Sequence, residues 1–140
     1  SKPFSKSSSD IKTAEDKGIN TSKKNILVVD DDPDLREFIS FLLSKNGYNV
    51  TSTGDGVDAI VTLSTQEFDL ILSDVDMPNL NGFKLLEVVN NKGINTPVVF
   101  LTARDNQEDE IKGYELGALD YIRKPIHKST LLMRIGRIFK

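Results

Sequence analysis

Asn25-Ile26-Leu27-Val28-Val29-Asp30-Asp31-Asp32-Pro33 is the stretch that decides the fold. Ile26 to Val29 leave no polar face, and most are β-branched, so a strand built from them is buried on both sides. Such strands belong to parallel sheets covered by helices on each face. Three carboxylates follow at once. Pro33 then opens a segment in which Leu35, Phe38, Ile39, Leu42 and Leu43 recur at helical spacing. Gly47 ends that helix. The result is a strand, an acidic turn and a helix in close succession.

The same order repeats downstream. Tyr48–Thr53 reads as a second strand, and Ala59, Ile60 and Leu63 mark a second helix. Leu70-Ile71-Leu72 is a third strand, followed by a helix carrying Phe83, Leu85, Leu86, Val88 and Val89. Val98-Val99-Phe100-Leu101, opened by Pro97, is a fourth. Ile111, Tyr114 and Leu116 lie on a fourth helix, stopped by Gly117. Leu119–Ile122 is a short fifth strand, and Leu131, Leu132, Ile135 and Ile138 form the last helix. Five βα units with short loops predict an α/β fold, a single doubly wound five-stranded parallel sheet with five helices on both faces. In such sheets the functional crevice lies at the carboxyl ends of the strands.

Composition narrows the class. A chain of 140 residues suffices for one domain. Its balance, 38% hydrophobic and 28% charged, is that of a globular protein in water. It has no cysteine, which excludes disulfides and thiolate metal sites. No apolar run approaches a membrane span, and the Ser- and Lys-rich start has no apolar core of a secretory signal. A cytoplasmic location with no membrane partner is the expectation. Residues 1–24 hold six lysines and three acids. They read as a disordered basic tail or linker, with a transient helical turn near Ile11–Lys17. The whole chain is −3, so residues 25–140 carry −6, and such a domain is not expected to bind nucleic acid directly. The chain starts at Ser1 rather than Met, so it is expected to be processed or excised from something longer.

The strand ends carry the chemistry. The first strand ends in Asp30-Asp31-Asp32, the third in Ser73-Asp74-Val75-Asp76, and the fourth in Thr102-Ala103-Arg104. Arg123-Lys124-Pro125 follows the fifth. A lone Asp after a strand is an ordinary turn or cap residue. Asp32, just before Pro33, is expected to be such a cap. Four strands delivering carboxylates, a hydroxyl and an ammonium to one edge need another explanation. Clustered carboxylates raise one another's pKa, and a hard divalent cation with oxygen ligands removes that cost. Mg²⁺, Lys and Thr together can neutralise and bind the oxygens of a phosphoryl group, and a carboxylate can accept it.

The segments VVDDDPDLR, LILSDVDMPNLNG, VVFLTARD and GALDYIRKPI, in this order and spacing over residues 25–140, resemble the response-regulator receiver family of two-component signalling, including the chemotaxis response regulators. The resemblance implies a flavodoxin-like strand order 2-1-3-4-5. It implies that Asp74 is the phosphoacceptor, with Lys124 pairing the phosphate and Thr102 the switch hydroxyl. Asp30 and Asp31 would place Mg²⁺ with Asp74 and the backbone carbonyl of Asp76, Asp31 being the direct ligand of the pair. Tyr121 matches the switch aromatic, and a cis bond is implied between Lys124 and Pro125. The implied function is a phosphorylation switch fed by a histidine kinase or histidine phosphotransfer protein. It would catalyse its own phosphotransfer and dephosphorylation without being a turnover enzyme. The face made by the fourth helix, fifth strand and fifth helix would change, and a homodimer through that face is one outcome. An effector or kinase module in the same full-length chain is expected.

Two departures stand out. Asp76 is acidic where many relatives carry a neutral residue, and Arg104 lies two residues after the switch threonine. An Asp76–Arg104 ion pair over the site, tuning the phosphoryl lifetime, is the expectation. On the output face, Asp120 and Arg134 could pair. Glu110, Leu119 and Thr130 differ from the winged-helix transcription-factor relatives, which puts their dimer in doubt. His127, the single histidine, is expected to be solvated or capping. The competing classes are a haloacid-dehalogenase-like phosphatase, from Asp74-x-Asp76, and a pseudo-receiver that binds partners without phosphorylation.

Overall fold

The computed structural model describes residues 23–140, so nearly all of the expected tail, including the turn near Ile11–Lys17, lies outside the described residues. Ten elements alternate strictly: β1 (Asn25–Val29), α1 (Pro33–Lys45), β2 (Asn49–Thr53), α2 (Gly56–Thr65), β3 (Leu70–Asp74), α3 (Gly82–Asn91), β4 (Val98–Thr102), α4 (Gln107–Glu115), β5 (Asp120–Arg123) and α5 (Lys128–Ile138). The strands form one sheet, order β2-β1-β3-β4-β5, and every neighbouring pair is parallel. The fold is the flavodoxin-like one expected.

The continuous apolar runs split between two cores because successive strand residues face opposite ways. Leu27, Val29, Ile71, Val98 and Phe100 face α2 and α3, packing with Ala59, Phe83, Leu86 and Val89. Ile26, Val28, Leu70, Leu72, Val99 and Leu101 face α1 and α5, against Ile39, Leu43, Leu131 and Ile135. Fully burying one such side chain contributes about 1.5–3 kcal/mol. β2 is one of the two edge strands and is only partly buried.

Helix starts are fixed at the carboxyl edge by short polar side chains. Asp32, Asp55, Asn81 and Asn106 each stand at an N-cap and accept a main-chain N–H of the first turn. Asp32 is thus a cap, as expected. His127 stands at the N-cap of α5 but makes no side-chain capping bond.

Strand ends shift by a residue, with β2 starting at Asn49 and β5 at Asp120, and two further details differ from the sequence expectation. β3 runs two residues beyond its apolar core, so Asp74 is the last residue of a buried strand rather than the first of a loop. On α4 the apolar residues do not form the inward face. Ile111 and Tyr114 are 49% and 43% exposed, and Gly113 alone is buried. Gly113 faces Phe100 and Tyr121 so closely that a Cβ would lie 3.3 Å from the Phe100 ring. The close packing of a glycine there turns the larger side chains outward.

Candidate functional site

β1, β3 and β4 end side by side, so their last residues meet at one edge. Asp30 and Asp74 are buried, and Asp31 is exposed beside them. One carboxylate oxygen from each lies within 4.8 Å of the others. Lys124 reaches the same place from the turn after β5. Its Nζ stands 2.9 Å from Asp30 Oδ2 and 3.3 Å from Asp74 Oδ2. Its main-chain N–H donates to Thr102 O at 2.8 Å, which ties that turn to the end of β4. The Lys124–Pro125 bond is cis, as the resemblance implied.

Local geometry holds the carboxylates. Asp74 Oδ1 accepts the Asp76 N–H at 3.2 Å, and Asp30 Oδ1 accepts that of Asp32 at 2.9 Å. Asp30 Oδ2 is buried and touches the Lys124 ammonium without the angle of a good hydrogen bond. Gly82 lets α3 begin directly against this turn. A Cβ there would meet Asp74 O at 2.3 Å, so only glycine fits.

Burial pushes the Asp74 carboxyl up from its ordinary value; Lys124 opposes that shift and Asp30 adds to it. Burial would lower Lys124, but the Asp30 and Asp74 carboxylates outweigh it and hold the ammonium above the usual lysine value. The centre therefore keeps a strong cation against a crowded pair of buried carboxylates. A buried carboxylate oxygen without a well-formed hydrogen bond, beside two others and open to solvent at Asp31, fits a small oxygen-seeking divalent cation.

Asp76 and Arg104 do form the expected ion pair. Arg104 Nε donates to both carboxylate oxygens at 3.1 and 3.0 Å, and Nη2 donates to Oδ1 at 2.6 Å. Those hydrogen bonds hold Asp76 below the usual carboxylate range. Sequence reasoning missed the second partner, Asp109, which accepts from Arg104 Nη1 at 2.9 Å. Its signal was the acidic first turn of α4.

A profile of the response regulator receiver domain matches residues 26–136. The chain belongs to that family. The transcriptional regulatory protein DltR of Streptococcus agalactiae is 40% identical over 110 residues, 79% of this chain and 49% of that protein. The alkaline phosphatase synthesis transcriptional regulatory protein PhoP of Bacillus subtilis is 34% identical over 117 residues, 84% of this chain and 49% of its own length. The chain thus spans about half the length of these curated relatives. Among solved structures, the receiver domain of Francisella response regulator 1452 matches with TM-score 0.80 at 35% identity, covering 84% of this chain and 97% of that one. The chemotaxis response regulator CheY4 of Vibrio cholerae matches with TM-score 0.79 at 32% identity, covering 84% and 99%.

In this receiver the residues expected to carry a switch are all on one side of Asp74. Thr102 is fully buried and its Oγ1 accepts the Arg104 N–H at 3.0 Å. The Tyr121 ring is already inside, 5% exposed and edge-on to Phe100 at 6.3 Å between centroids. Its hydroxyl is buried with no hydrogen-bond partner. Burial raises its pKa, and the nearby Thr102 side chain opposes that shift without forming a well-shaped bond. On the outer face Asp120 accepts from Arg134 Nη1 at 2.9 Å within the same chain. Arg123, not singled out from sequence, bridges Asp105 and Glu110. Among the described residues no helix is long and apolar enough to cross a membrane.

Proposed function

We propose that this receiver accepts a phosphoryl group on Asp74 from a phosphohistidine of a histidine kinase or histidine phosphotransfer protein. The observation that carries the reading is Lys124 Nζ seated between Asp30 and Asp74 at the common end of three strands. An Asp74 carboxylate oxygen attacks phosphorus, the phosphorus–nitrogen bond breaks and the imidazole leaves with the bond's electron pair. Lys124 would neutralise a phosphoryl oxygen as charge develops on it at Asp74. Thr102 can donate its hydroxyl proton to another of those oxygens.

Asp30, Asp31, Asp74 and the Asp76 carbonyl are the groups that would hold Mg²⁺, which when bound neutralises phosphoryl oxygens. The Asp76–Arg104 pair sits beside the acceptor and is assigned to tuning the phosphoryl lifetime, by screening it from water or orienting one. The unpartnered Tyr121 hydroxyl and the buried Thr102 are assigned to the switch. A shift of Thr102 toward phosphate would change the packing under α4, β5 and α5 and bias that face between two states. Residues 25–140 are taken as the receiver and 1–24 as a tail, in a cytoplasmic protein whose full-length chain carries an effector or a kinase module. A homodimer through α4, β5 and α5 is the alternative use of the output face.

The test is phosphorylation by acetyl phosphate, or capture of beryllofluoride, with and without Mg²⁺, using Asp74→Asn as control. A Mg²⁺-dependent change that the control lacks is expected. No change in either protein would mark a pseudo-receiver, and sustained hydrolysis of a phosphate monoester would mark a phosphatase.

A further inference from the structure

We propose that Arg36 is a positioning residue for this site, holding Asp30 in the orientation that a divalent cation requires. The inference rests on the reading given above, in which Asp30, Asp31 and Asp74 are groups that would hold the cation.

Asp30 lies one residue beyond β1. The ladders to β2 and β3 end at Val29, paired with Thr53 and Ser73. Asp30 still donates its N–H to Thr53 O at 3.1 Å, but its own carbonyl is past the last strand pairing. Arg36 supplies the missing donor: its Nη1 lies 2.7 Å from Asp30 O. Arg36 sits in the first turns of α1, where its N–H bonds to Asp32 O at 3.0 Å. Helical side chains lean toward the N-terminus, so its guanidinium is carried back over the acidic turn. Space for it comes from Gly54 in the turn after β2. A Cβ at Gly54 would lie 2.9 Å from Arg36 Nη1 and 3.5 Å from Cζ.

All four polar atoms of Asp30 are thereby engaged, each from a different direction. Thr53 O takes the N–H, Arg36 caps the carbonyl, the Asp32 N–H holds Oδ1, and Lys124 faces Oδ2. Arg36 is the one side chain in this set from outside the reacting cluster. By donating to the carbonyl rather than to a carboxylate it leaves the acidic oxygens for the cation. With the N–H and the carbonyl both held, the peptide planes flanking Asp30 are fixed and so is the direction of its Cα–Cβ bond, from which the Asp32 N–H and Lys124 orient the carboxylate. Residues one step removed from a metal typically change its affinity by about 10- to 100-fold when lost.

The experiment is a Mg²⁺ titration of the full chain by calorimetry, at a temperature where circular dichroism shows each protein folded. It compares wild type, Arg36→Gln, Arg36→Lys and Gly54→Ala, with Asp74→Asn as the control for the parent reading. Arg36→Gln should weaken Mg²⁺ by about tenfold, at the lower end of the range for such residues. Arg36→Lys, which keeps a donor, should recover part of that loss. Gly54→Ala, which displaces the guanidinium without removing it, should fall between wild type and Arg36→Gln. Affinities within twofold of wild type in all three would overturn the proposal and leave Arg36 as a clip between α1 and β1, even if melting temperatures fell. If Arg36→Gln does not fold, Arg36→Lys and Gly54→Ala decide the question by the same criterion. A wild type that binds no Mg²⁺, or an Asp74→Asn protein that binds it as tightly as wild type, would instead sink the parent reading and this proposal with it.

Discussion

Replacing Asp74 by Asn should make the Mg²⁺-free protein more stable, although it removes the proposed acceptor. At an effective dielectric of about 20, Lys124 at 3.3 Å attracts the Asp74 carboxylate by about 5 kcal/mol. Asp30, with an oxygen within 4.8 Å, repels it by about 3.5 kcal/mol or more. Asp31 is exposed, and water screens its repulsion to about 1 kcal/mol. These Coulomb contributions nearly cancel. What remains is the cost of holding an ion out of water, which is also the largest cause of the raised Asp74 pKa. Asn keeps the shape and removes that ion, while Lys124 keeps Asp30 as its partner, so a gain of about 1–2 kcal/mol is expected, at the low end of the several kcal/mol that desolvating a buried ion costs. For a domain of this size that is roughly a 3–10 °C rise in melting temperature. The folded pKa is raised, so the cost to wild type is complete above that pKa. The variant's advantage should therefore be present at neutral pH and shrink as pH falls through the folded Asp74 pKa. The assay is thermal unfolding in a chelating buffer across this pH range, repeated at saturating Mg²⁺. The ion should stabilise wild type preferentially and narrow the difference. A variant less stable than wild type in chelator, or an advantage that grows on acidification, would refute the reasoning.

Asp76→Asn should change the lifetime of phosphorylated Asp74 by about fivefold to tenfold, as about 1 kcal/mol or a little more in the barrier would give. The direction expected is longer, through loss of a carboxylate that can orient water, and an unchanged decay of labelled phosphoprotein would remove Asp76 from the mechanism. Thr102→Ala should leave acetyl-phosphate labelling within a few-fold of wild type and weaken the response of the α4–β5–α5 face. Amide exchange across that face reads the second effect, and equal loss of both would count against a division of roles. Gly82→Ala should destabilise the fold by about 3 kcal/mol, because the new methyl would meet the Asp74 main chain rather than a side chain that can swing away. Urea unfolding measures this, and a loss below about 1 kcal/mol would mean the turn relaxes freely.

Much of this was legible in the sequence for a physical reason. β1, β3 and β4 are buried on both faces, so their apolar runs are uninterrupted and the polar residue that ends each run marks the sheet edge. Asp30 and Thr102 announce themselves in that way, and Asp74 follows directly on Ser73, which ends the run of β3. Contacts made across the fold by long side chains leave no such mark. Arg36 on the Asp30 carbonyl, Arg104 on Asp109 and Arg123 on Glu110 depend on how elements are brought together. The apolar spacing on α4 misled for a related reason. A glycine makes a closer helix–sheet contact than any larger residue, and periodicity in apolar side chains does not register it.

That feature of α4 bears on how a change at Asp74 would be read out. α3 buries Phe83, Leu85, Leu86 and Val89, and α2 buries Ala59 with Ile60 and Leu63 partly covered, whereas α4 buries Gly113 alone and shows Ile111 and Tyr114 to solvent. Apolar burial therefore contributes little to holding it. Its N-terminal turns are held instead by charge, through Arg104 on Asp109 and Arg123 on Glu110. Ion pairs as exposed as these are worth about 0.2–1 kcal/mol each. Arg104 is also the partner of Asp76, two residues from the proposed acceptor, and its main-chain N–H is bonded to Thr102. A doubly charged phosphoryl group on Asp74 would compete for that guanidinium with both carboxylates at once. A helix that buries so little apolar surface is thus tied through one arginine to Asp76 and Thr102, beside the proposed acceptor. A small redistribution of charge there is therefore expected to alter its position while the two cores on either side of the sheet stay as they are, a difference that amide exchange would read.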